Sequence, residues 1–483
     1  MDENLRSETI HGVFWSFIER YSVQTVQLLL NIVMARLLSP ESFGLIAMLS
    51  IFMSLSQVFI DGGFSSALIQ SKDRTEADFC TVFHINISIS ILIYIILFVS
   101  APFIASFYSQ PLLKSIIRVY SLNLIVNSFV SINKTKLTIA IDFKTQSKIS
   151  LLAAIFSGIV GIVCASFGLG VWALVAQLMS ATVLNMLLSF HFVKWFPKFI
   201  FSKESFHRLF AFGSKLLIAQ IITSVYNNLY NLVIGKKFSS IELGYFSTAD
   251  KISNFASTNI AGILSRVSFP LLSKIQDDDR HLLAVYKKYI QMSAFIVFPV
   301  ILGICGAAKP LILVVLTEKW AGSIEILQIL SFAYLFDCVI SVNLNLIYVK
   351  GRSDLVLRLE IIKKAIAISI LAVTLTFFGV VGICLGRVVY AIIAFYLNTY
   401  YTKKLLNYGF GQQLKDIAPY LVAALFIAGE AFALSYFISN NLIALLLSLA
   451  VCPLTYIFLC DKFKFAAFVE AKGIVLGRLR KKA

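Results

Sequence analysis

Charged side chains inside apolar segments are the residues of this sequence best placed to do chemistry. An ionisable group within a membrane is costly, and it ordinarily faces a partner or an aqueous pathway. Such groups predict ligand binding, gating or ion coupling rather than covalent catalysis. The candidates are Glu19, Arg20, Lys215, Asp250, Lys251 and Asp337.

The adjacent pairs among these candidates have two interpretations. Neighbouring residues on a helix point about 100° apart, so Asp250 and Lys251 cannot both face one partner. Either Lys251 faces a cavity while Asp250 pairs elsewhere, or they belong to a closed structural ion pair with Asp337 or Lys215. Glu19 and Arg20 likewise form either a gate or a surface pair at headgroup level.

Amide side chains follow the same segments at helical spacing. A stripe of this kind can line a pathway, or it can hold helices together through hydrogen bonds between them. We take as candidate binding residues Gln24, Gln27 and Asn31 in the first apolar segment, Asn227 and Asn231 in the seventh, and Asn254 in the eighth.

Signatures of catalysis are missing from the sequence. It contains no P-loop, no GxSxG and no HExxH. The acidic run Asp277 to Asp279 is interpreted as a solvated loop, and the seven scattered cysteines as small apolar residues. We therefore expect no enzyme activity, no cofactor and no metal.

The composition places these candidates in a membrane protein. Of the 483 residues 59% are hydrophobic and only 14% are charged, against roughly 45–50% and 25% in soluble domains. The net charge of +17 is spread over short connections between apolar segments, so it does not indicate a nucleic-acid partner.

A bilayer needs about 20 apolar residues for each helical span, and this measure predicts fourteen spans. Basic residues in the connections concentrate on the side of the N-terminus, which places both termini in the cytoplasm. The predicted spans cover residues 14–38, 42–62, 79–107, 111–137, 149–167, 170–193, 209–234, 241–270, 283–306, 323–349, 357–378, 381–402, 416–437 and 441–460.

The sequence contains an internal repeat. Residues 230–246 align without a gap on residues 30–46, which matches Gly44 with Gly244, and a slightly larger shift matches Asn133 with Asn343. Six spans separate the copies, so two parallel lobes should face one another across a central cavity. The predicted divisions are a first lobe at 1–200, a second at 201–405, two further spans at 406–461 and a basic cytoplasmic tail at 462–483.

Several runs resemble the polysaccharide transporter family of the MOP flippase superfamily, in its WzxC and teichuronic acid branch. They include ARLLSPESFGLIA, DGGFSSALIQ, FGLGVWALVAQ, IGKKFSSIELGYFSTADKI and SRVSFPLLSKIQDD. The resemblance implies a V-shaped, alternating-access protein of the bacterial inner membrane. It also implies a flippase that moves undecaprenyl-diphosphate-linked oligosaccharides for surface polysaccharide export.

The candidate residues suit that implied substrate. Arg20 and Lys215 would capture the diphosphate and Lys251 would hold it deeper, while the amide stripes bind sugar hydroxyls. The expected partners are the lipid-linked substrate, membrane lipids and polymerase machinery, with the protein itself a monomer. Two other functions stay open, a cation-coupled multidrug exporter of the same superfamily and a membrane polysaccharide polymerase.

Overall fold

The computed structural model describes residues 22–377 and 379–480, without the side chains of residues 260, 261, 263–267, 377 and 474–480. The described residues form α-helices joined by short connections, with one 3-10 turn and no β-strand. In chain order the helices are α1 (Ser22–Leu37), α2 (Pro40–Asp61), α3 (Phe64–Gln70), α4 (Glu76–Phe107), α5 (Leu112–Tyr120), α6 (Leu122–Ile139), α7 (Phe143–Ser166), α8 (Val171–Val193), α9 (Lys203–Lys237), α10 (Ser240–Lys274), α11 (Asp279–Gly306), α12 (Ala308–Val315), α13 (Ser323–Tyr334), α14 (Asp337–Val349), α15 (Ser353–Phe377), α16 (Gly379–Leu406), α17 (Phe410–Phe437), α18 (Asn441–Lys462) and α19 (Ala466–Arg480).

Eleven of these segments, counting α5 with α6 and α13 with α14, are long and apolar enough to cross a membrane. This result confirms the predicted class, an all-α polytopic membrane protein. The first predicted span is represented by α1, since its earlier residues lie outside the described part. Predicted spans 8 and 11 are present as α10 and α15, but both carry several charged residues. The number fourteen therefore stays a prediction.

Two compact units divide the chain, Met1–Gly244 and Tyr245–Ala483. In the first unit α2 packs along α9, α7 along α8 and α4 against α6. In the second unit α11 packs along α17, α15 along α16 and α13 against α16. The repeat would assign α9 to the second lobe, whereas its contacts join it to the first unit, so the boundaries at 200 and 405 stay a prediction about the duplicated sequence.

Reciprocal contacts join two helices that are equivalent in the repeat. The N-terminal turn of α10 crosses that of α2, and a methyl group on Gly44 would overlap the carbonyl oxygen of Ser240. A methyl group on Gly244 would overlap the carbonyl oxygen of Pro40. Pro40 and Ser240 are themselves equivalent, so the two contacts, both within the first unit, are reciprocal.

A second pair of equivalent segments is interrupted rather than straight. Predicted span 4 consists of α5 and α6, which meet at Ser121, and predicted span 10 consists of α13 and α14, with Leu335 and Phe336 between them. The first residue after the second interruption is Asp337. Interrupted helices place polar side chains and free backbone groups at membrane depth.

A buried hydrogen-bond network connects α17 to the second copy of the repeat. Asn343, which is fully buried, accepts a hydrogen bond from Tyr286 and donates one to the Gln413 side chain over 3.1 Å. Gln413 in turn donates to Thr402 over 3.0 Å. The equivalent Asn133 is also fully buried, but neither atom of its amide has a hydrogen-bond partner among the described residues.

Candidate functional site

Two sets of polar side chains, one in each unit, contain the predicted site residues. In the first unit they lie along α9 and the facing side of α2. Ser224 donates to Ser54 over 2.9 Å, and Asn228 donates to the same hydroxyl over 2.8 Å. Asn231 donates to Ser50 over 3.3 Å. This side of the α9 stripe therefore holds α2 and α9 together.

Asn227 and Lys215 lie on other faces of α9. Both side chains are exposed, and Lys215 makes no ion pair with a described residue. Gly213 and Ser224 are buried on the packed face of the same helix. Because Lys215 follows Gly213 by two residues, it points about 200° away from that packed face.

The three amide candidates of α1 make few contacts with other helices. Gln27 and Asn31 are exposed, and the Asn31 side chain donates to the backbone carbonyl of Gln27 over 2.8 Å. The Oε1 atom of Gln24 is buried without a hydrogen-bond partner among the described residues. Arg20 and Glu19, the charged candidates of the same segment, lie outside the described residues.

In the second unit, an ion pair between Asp250 of α10 and Arg387 of α16 forms the centre of the charged set. The Tyr334 hydroxyl donates to Asp250 and accepts from Arg387, each over 2.8 Å. The Arg387 guanidinium also stands 4.9 Å from the centre of the Tyr334 ring. The side chains of Arg387 and Asp250 are 17% and 28% exposed, so the three groups form a nearly closed polar triangle.

Asp337 and Lys363 extend this triangle. Asp337 interacts electrostatically with Arg387 and Lys363 but makes no ion pair at contact distance with a described residue. Lys363 is buried and pairs with Glu360 on its own helix, α15, over 2.5 Å. Asp337 is consequently a carboxylate placed among cations that each have another partner.

Lys251 stays outside the triangle, as the 100° offset from Asp250 predicts. Its side chain is exposed, and its one described electrostatic contact is with the neighbouring Asp250. Asn254 is half-buried on the same helix. Of the two interpretations, the structure agrees with the one in which Asp250 pairs elsewhere, since its partner is Arg387 and neither Asp337 nor Lys215 forms an ion pair with a described residue.

Sequence reasoning missed two members of the triangle. Arg387 is not among the charged candidates, and Tyr334 carries no recognisable signal in the sequence. A carboxylate inside an apolar helix requires a cation, so the search for one partner among all intramembrane arginines could have found Arg387. Nothing in the spacing indicates Tyr334, because 84 residues separate it from Asp250.

The acidic run after α10 has structural roles. Asp278 caps α11 by accepting hydrogen bonds from the backbone amides of Arg280 and His281, each over 3.0 Å. Asp279 pairs with Lys350 over 2.6 Å. Each of these two carboxylates thus has a partner within the protein.

The fold and these polar sets define a polytopic helical membrane protein that is built on a duplicated unit and places charges inside its helices. Residues 33–325 match the family described as polysaccharide biosynthesis protein. The match covers more than half of the chain, and the chain belongs to this family. The predicted resemblance is confirmed.

Relatives of known name agree with this assignment. The teichuronic acid biosynthesis protein TuaB of Bacillus subtilis is 24% identical over 99% of each chain. The lipopolysaccharide biosynthesis protein WzxC of Escherichia coli is 25% identical over 81% of this chain and 80% of its own.

One solved structure shares the fold over nearly the whole length. The lipid II flippase MurJ, in an inward closed conformation, superposes with a TM-score of 0.76 at 15% identity, covering 93% of this chain and 98% of the other.

Proposed function

We propose that this protein is a flippase that moves undecaprenyl-diphosphate-linked oligosaccharides across the bacterial inner membrane for the export of a surface polysaccharide. The observation that carries the proposal is family membership combined with a fold shared over 93% of the chain with a protein named as a lipid II flippase. Both termini lie in the cytoplasm, and the protein works as a monomer that delivers its product to polymerase machinery.

Unpaired cations support this kind of substrate. Arg387 and Lys363 are neutralised by Asp250 and Glu360, whereas Lys215 and Lys251 make no ion pair with a described residue. A diphosphate binds to cations whose charge is not already compensated. In this proposal Lys215 and Arg20 capture the diphosphate, and Lys251 holds it during passage.

The oligosaccharide needs many weak hydrogen bonds rather than another charge. Gln27, Asn31 and Asn227 expose amide groups that can donate to and accept from sugar hydroxyls. Gln24 and Asn254 are half-buried on the same two sets of helices. Asn231 is already bonded to Ser50, so it binds sugar only if α2 and α9 separate. The carboxylates Glu19, Asp250 and Asp337 act in gating or ion coupling.

The test is the fate of the lipid-linked intermediate in cells. Deletion of the gene should make lipid-linked repeat units accumulate on the cytoplasmic face of the membrane, and the wild-type gene should restore export. A multidrug exporter would leave that pool unchanged, and a polymerase would let the repeat units cross. Either result would refute the proposed flippase function.

The residue roles are tested separately. Arg20→Ala, Lys215→Ala and Lys251→Ala should each lower export at least several-fold at normal protein level. Lys114→Ala, which changes an exposed lysine on α5 outside both polar sets, is the matched control and should export normally. Normal export by all three site variants would show that Arg20, Lys215 and Lys251 do not bind the substrate.

A further inference from the structure

An apolar cavity of about 390 Å³ lies in the first unit between α2, α3, α4 and α9. We call it the lateral groove, and its walls are formed in part by Phe59, Phe64, Leu92, Ile96, Phe210 and Leu217. All of its lining residues are apolar. A ligand of this volume would be within the range of ordinary small-molecule sites, about 300–1,000 Å³, but it could make no hydrogen bond in the groove.

A close backbone contact between α9 and the turn from α2 to α3 borders the groove. Gly62 and Gly63 have positive φ angles of 52° and 76°, and they form the turn between α2 and α3. A methyl group on Gly213 would lie 2.7 Å from the carbonyl oxygen of Gly62. The backbone of α9 therefore contacts the backbone of the α2–α3 turn. Phe64, only 1% exposed, lines the groove immediately after this turn.

The other side of the groove is open to the apolar surroundings of the helices. Four of the side chains that line it are exposed by two fifths or more: Phe59 by 45%, Leu92 by 58%, Ile96 by 55% and Phe210 by 41%. On α4 the lining residues extend from Ile89 to Ile96, which is about 10 Å along the helix axis. A hydrocarbon chain can thus enter sideways from the bilayer and lie along α4.

Basic residues surround the closed end of the groove. Lys203, in the first turn of α9 and two turns before Phe210, is exposed and makes no ion pair with a described residue, whereas Arg208 is already paired with Asp78 over 2.6 Å. Lys72 is exposed in the connection from α3 to α4 and makes no ion pair with a described residue. An apolar groove that ends among cations is complementary to an amphiphile with an anionic head.

Two amphiphiles have an anionic head, a phospholipid and a polyprenyl phosphate, and they differ in the chemistry of their hydrocarbon chains. A fixed groove restricts rotation about the bonds of its ligand, and each lost rotation costs free energy. A polyprenyl chain has a double bond in every unit, so fewer of its bonds rotate than in a saturated acyl chain. Rigid aromatic faces at Phe59, Phe64 and Phe210 favour the stiffer, methyl-branched chain.

We infer that the lateral groove binds the isoprenoid chain of the lipid-linked substrate and keeps the chain against the first unit. This inference rests on the proposed function, and it adds a tail site to the head-binding residues proposed above. The chain lies along α4, and its phosphate is met by Lys215 of the head site proposed above, with Lys72 and Lys203 as additional exposed cations on the elements that form the groove.

The experiment measures lipid binding to the purified full-length protein by native mass spectrometry, with undecaprenyl phosphate and phosphatidylglycerol as probes. Leu92→Trp fills the groove, and it should reduce bound undecaprenyl phosphate at least fivefold while phosphatidylglycerol binding stays unchanged. Ile95→Trp is the matched control, because Ile95 is 51% exposed on the same helix and does not line the groove. It should bind both lipids as the wild type does.

A photoreactive polyprenyl phosphate provides a readout that does not depend on the folding of a variant. On the wild-type protein it should label peptides from residues 89–96. Wild-type binding by a folded Leu92→Trp protein, or labelling elsewhere, would overturn the inference. Equal loss of both lipids would also overturn it, since the groove would then be a general lipid site. Each of these outcomes leaves the accumulation test of the flippase unaffected.

Discussion

Gly44 on α2 and Gly244 on α10 each contact the backbone of the other's helix, and the two glycines occupy equivalent positions in a duplicated sequence. Close helix contacts at small residues are usual in membranes, where van der Waals packing replaces the hydrophobic effect as the driving force between helices. Further along α2, Ser50 and Ser54 accept hydrogen bonds from side chains of α9.

Gly44→Ala should destabilise the protein by about 1–3 kcal/mol, the usual cost of overpacking a well-packed contact. The added methyl group would overlap the Ser240 carbonyl oxygen, and backbone cannot move aside as a side chain can. Thermal unfolding in detergent measures the change. Gly429→Ala is the control: its methyl group would meet open space, so stability should stay the same or rise.

Neutralising one member of the Asp250 and Arg387 pair should destabilise the second unit more than neutralising both. Either Asp250→Asn or Arg387→Gln leaves a poorly solvated charge without its partner, and we expect a loss of about 3 kcal/mol. The double variant removes both charges and should recover at least half of that loss. A double-mutant cycle on unfolding temperatures gives the coupling between the residues.

The control for this cycle is an ion pair of the same chemistry at the start of α15. Arg352 and Asp354 form a two-bond ion pair, and their side chains are 49% and 50% exposed. The Arg352 guanidinium lowers the pKa of Asp354 to about 2, but exposed pairs contribute little to stability. Asp354→Asn should leave the unfolding temperature unchanged. Equal losses of unfolding temperature in Asp250→Asn and Asp354→Asn would contradict the expectation that the less exposed ion pair contributes more to stability.

Replacing the repeated asparagine should have opposite consequences in the two copies. Asn343→Leu leaves Tyr286 and Gln413 without their partner and should cost about 1–3 kcal/mol. Asn133→Leu removes an amide that has no hydrogen-bond partner in the described part of the chain, so it should be neutral or stabilising. Unfolding temperatures of the two variants decide the point, and a loss at Asn133 as large as that at Asn343 would refute the asymmetry.

Labelling of single cysteines tests the topology. If the chain spans the membrane fourteen times, Ser353→Cys lies on the cytoplasmic side and Ser439→Cys on the opposite side. A membrane-impermeant maleimide should label the second in intact cells and the first after permeabilisation, both in a background without the seven native cysteines. Labelling of both, or of Ser353→Cys alone, in intact cells would contradict the span count.

Local periodicity accounts for much of what the sequence predicted. Helix positions, the repeat and the different directions of Asp250 and Lys251 follow from spacing along the chain, which hydropathy and helical geometry reveal. The Asp250 and Arg387 pair was not predictable in this way, because 137 residues separate them. Their contact depends on which helices become neighbours, which hydropathy along the chain does not reveal.

The division of α9 between two roles was also beyond sequence reasoning. Its stripe of polar residues was one feature in the sequence, yet Asn231 bonds to α2 whereas Lys215 and Asn227 are exposed. Spacing assigns residues to faces but does not say which face meets protein. The groove beside α4 was missed for a similar reason, since its lining residues are ordinary apolar residues in the sequence.

The hydrogen bond between Asn343 and Gln413 sets an order of events during synthesis. Seventy residues, 413 minus 343, separate the two partners, and translation adds about 5–20 residues per second. The amide of Asn343 therefore waits roughly 4–14 seconds in the membrane before the ribosome supplies its partner. A nascent chain stalled before α17 leaves the second unit with an open polar contact, which a quality-control protease can distinguish from the finished protein.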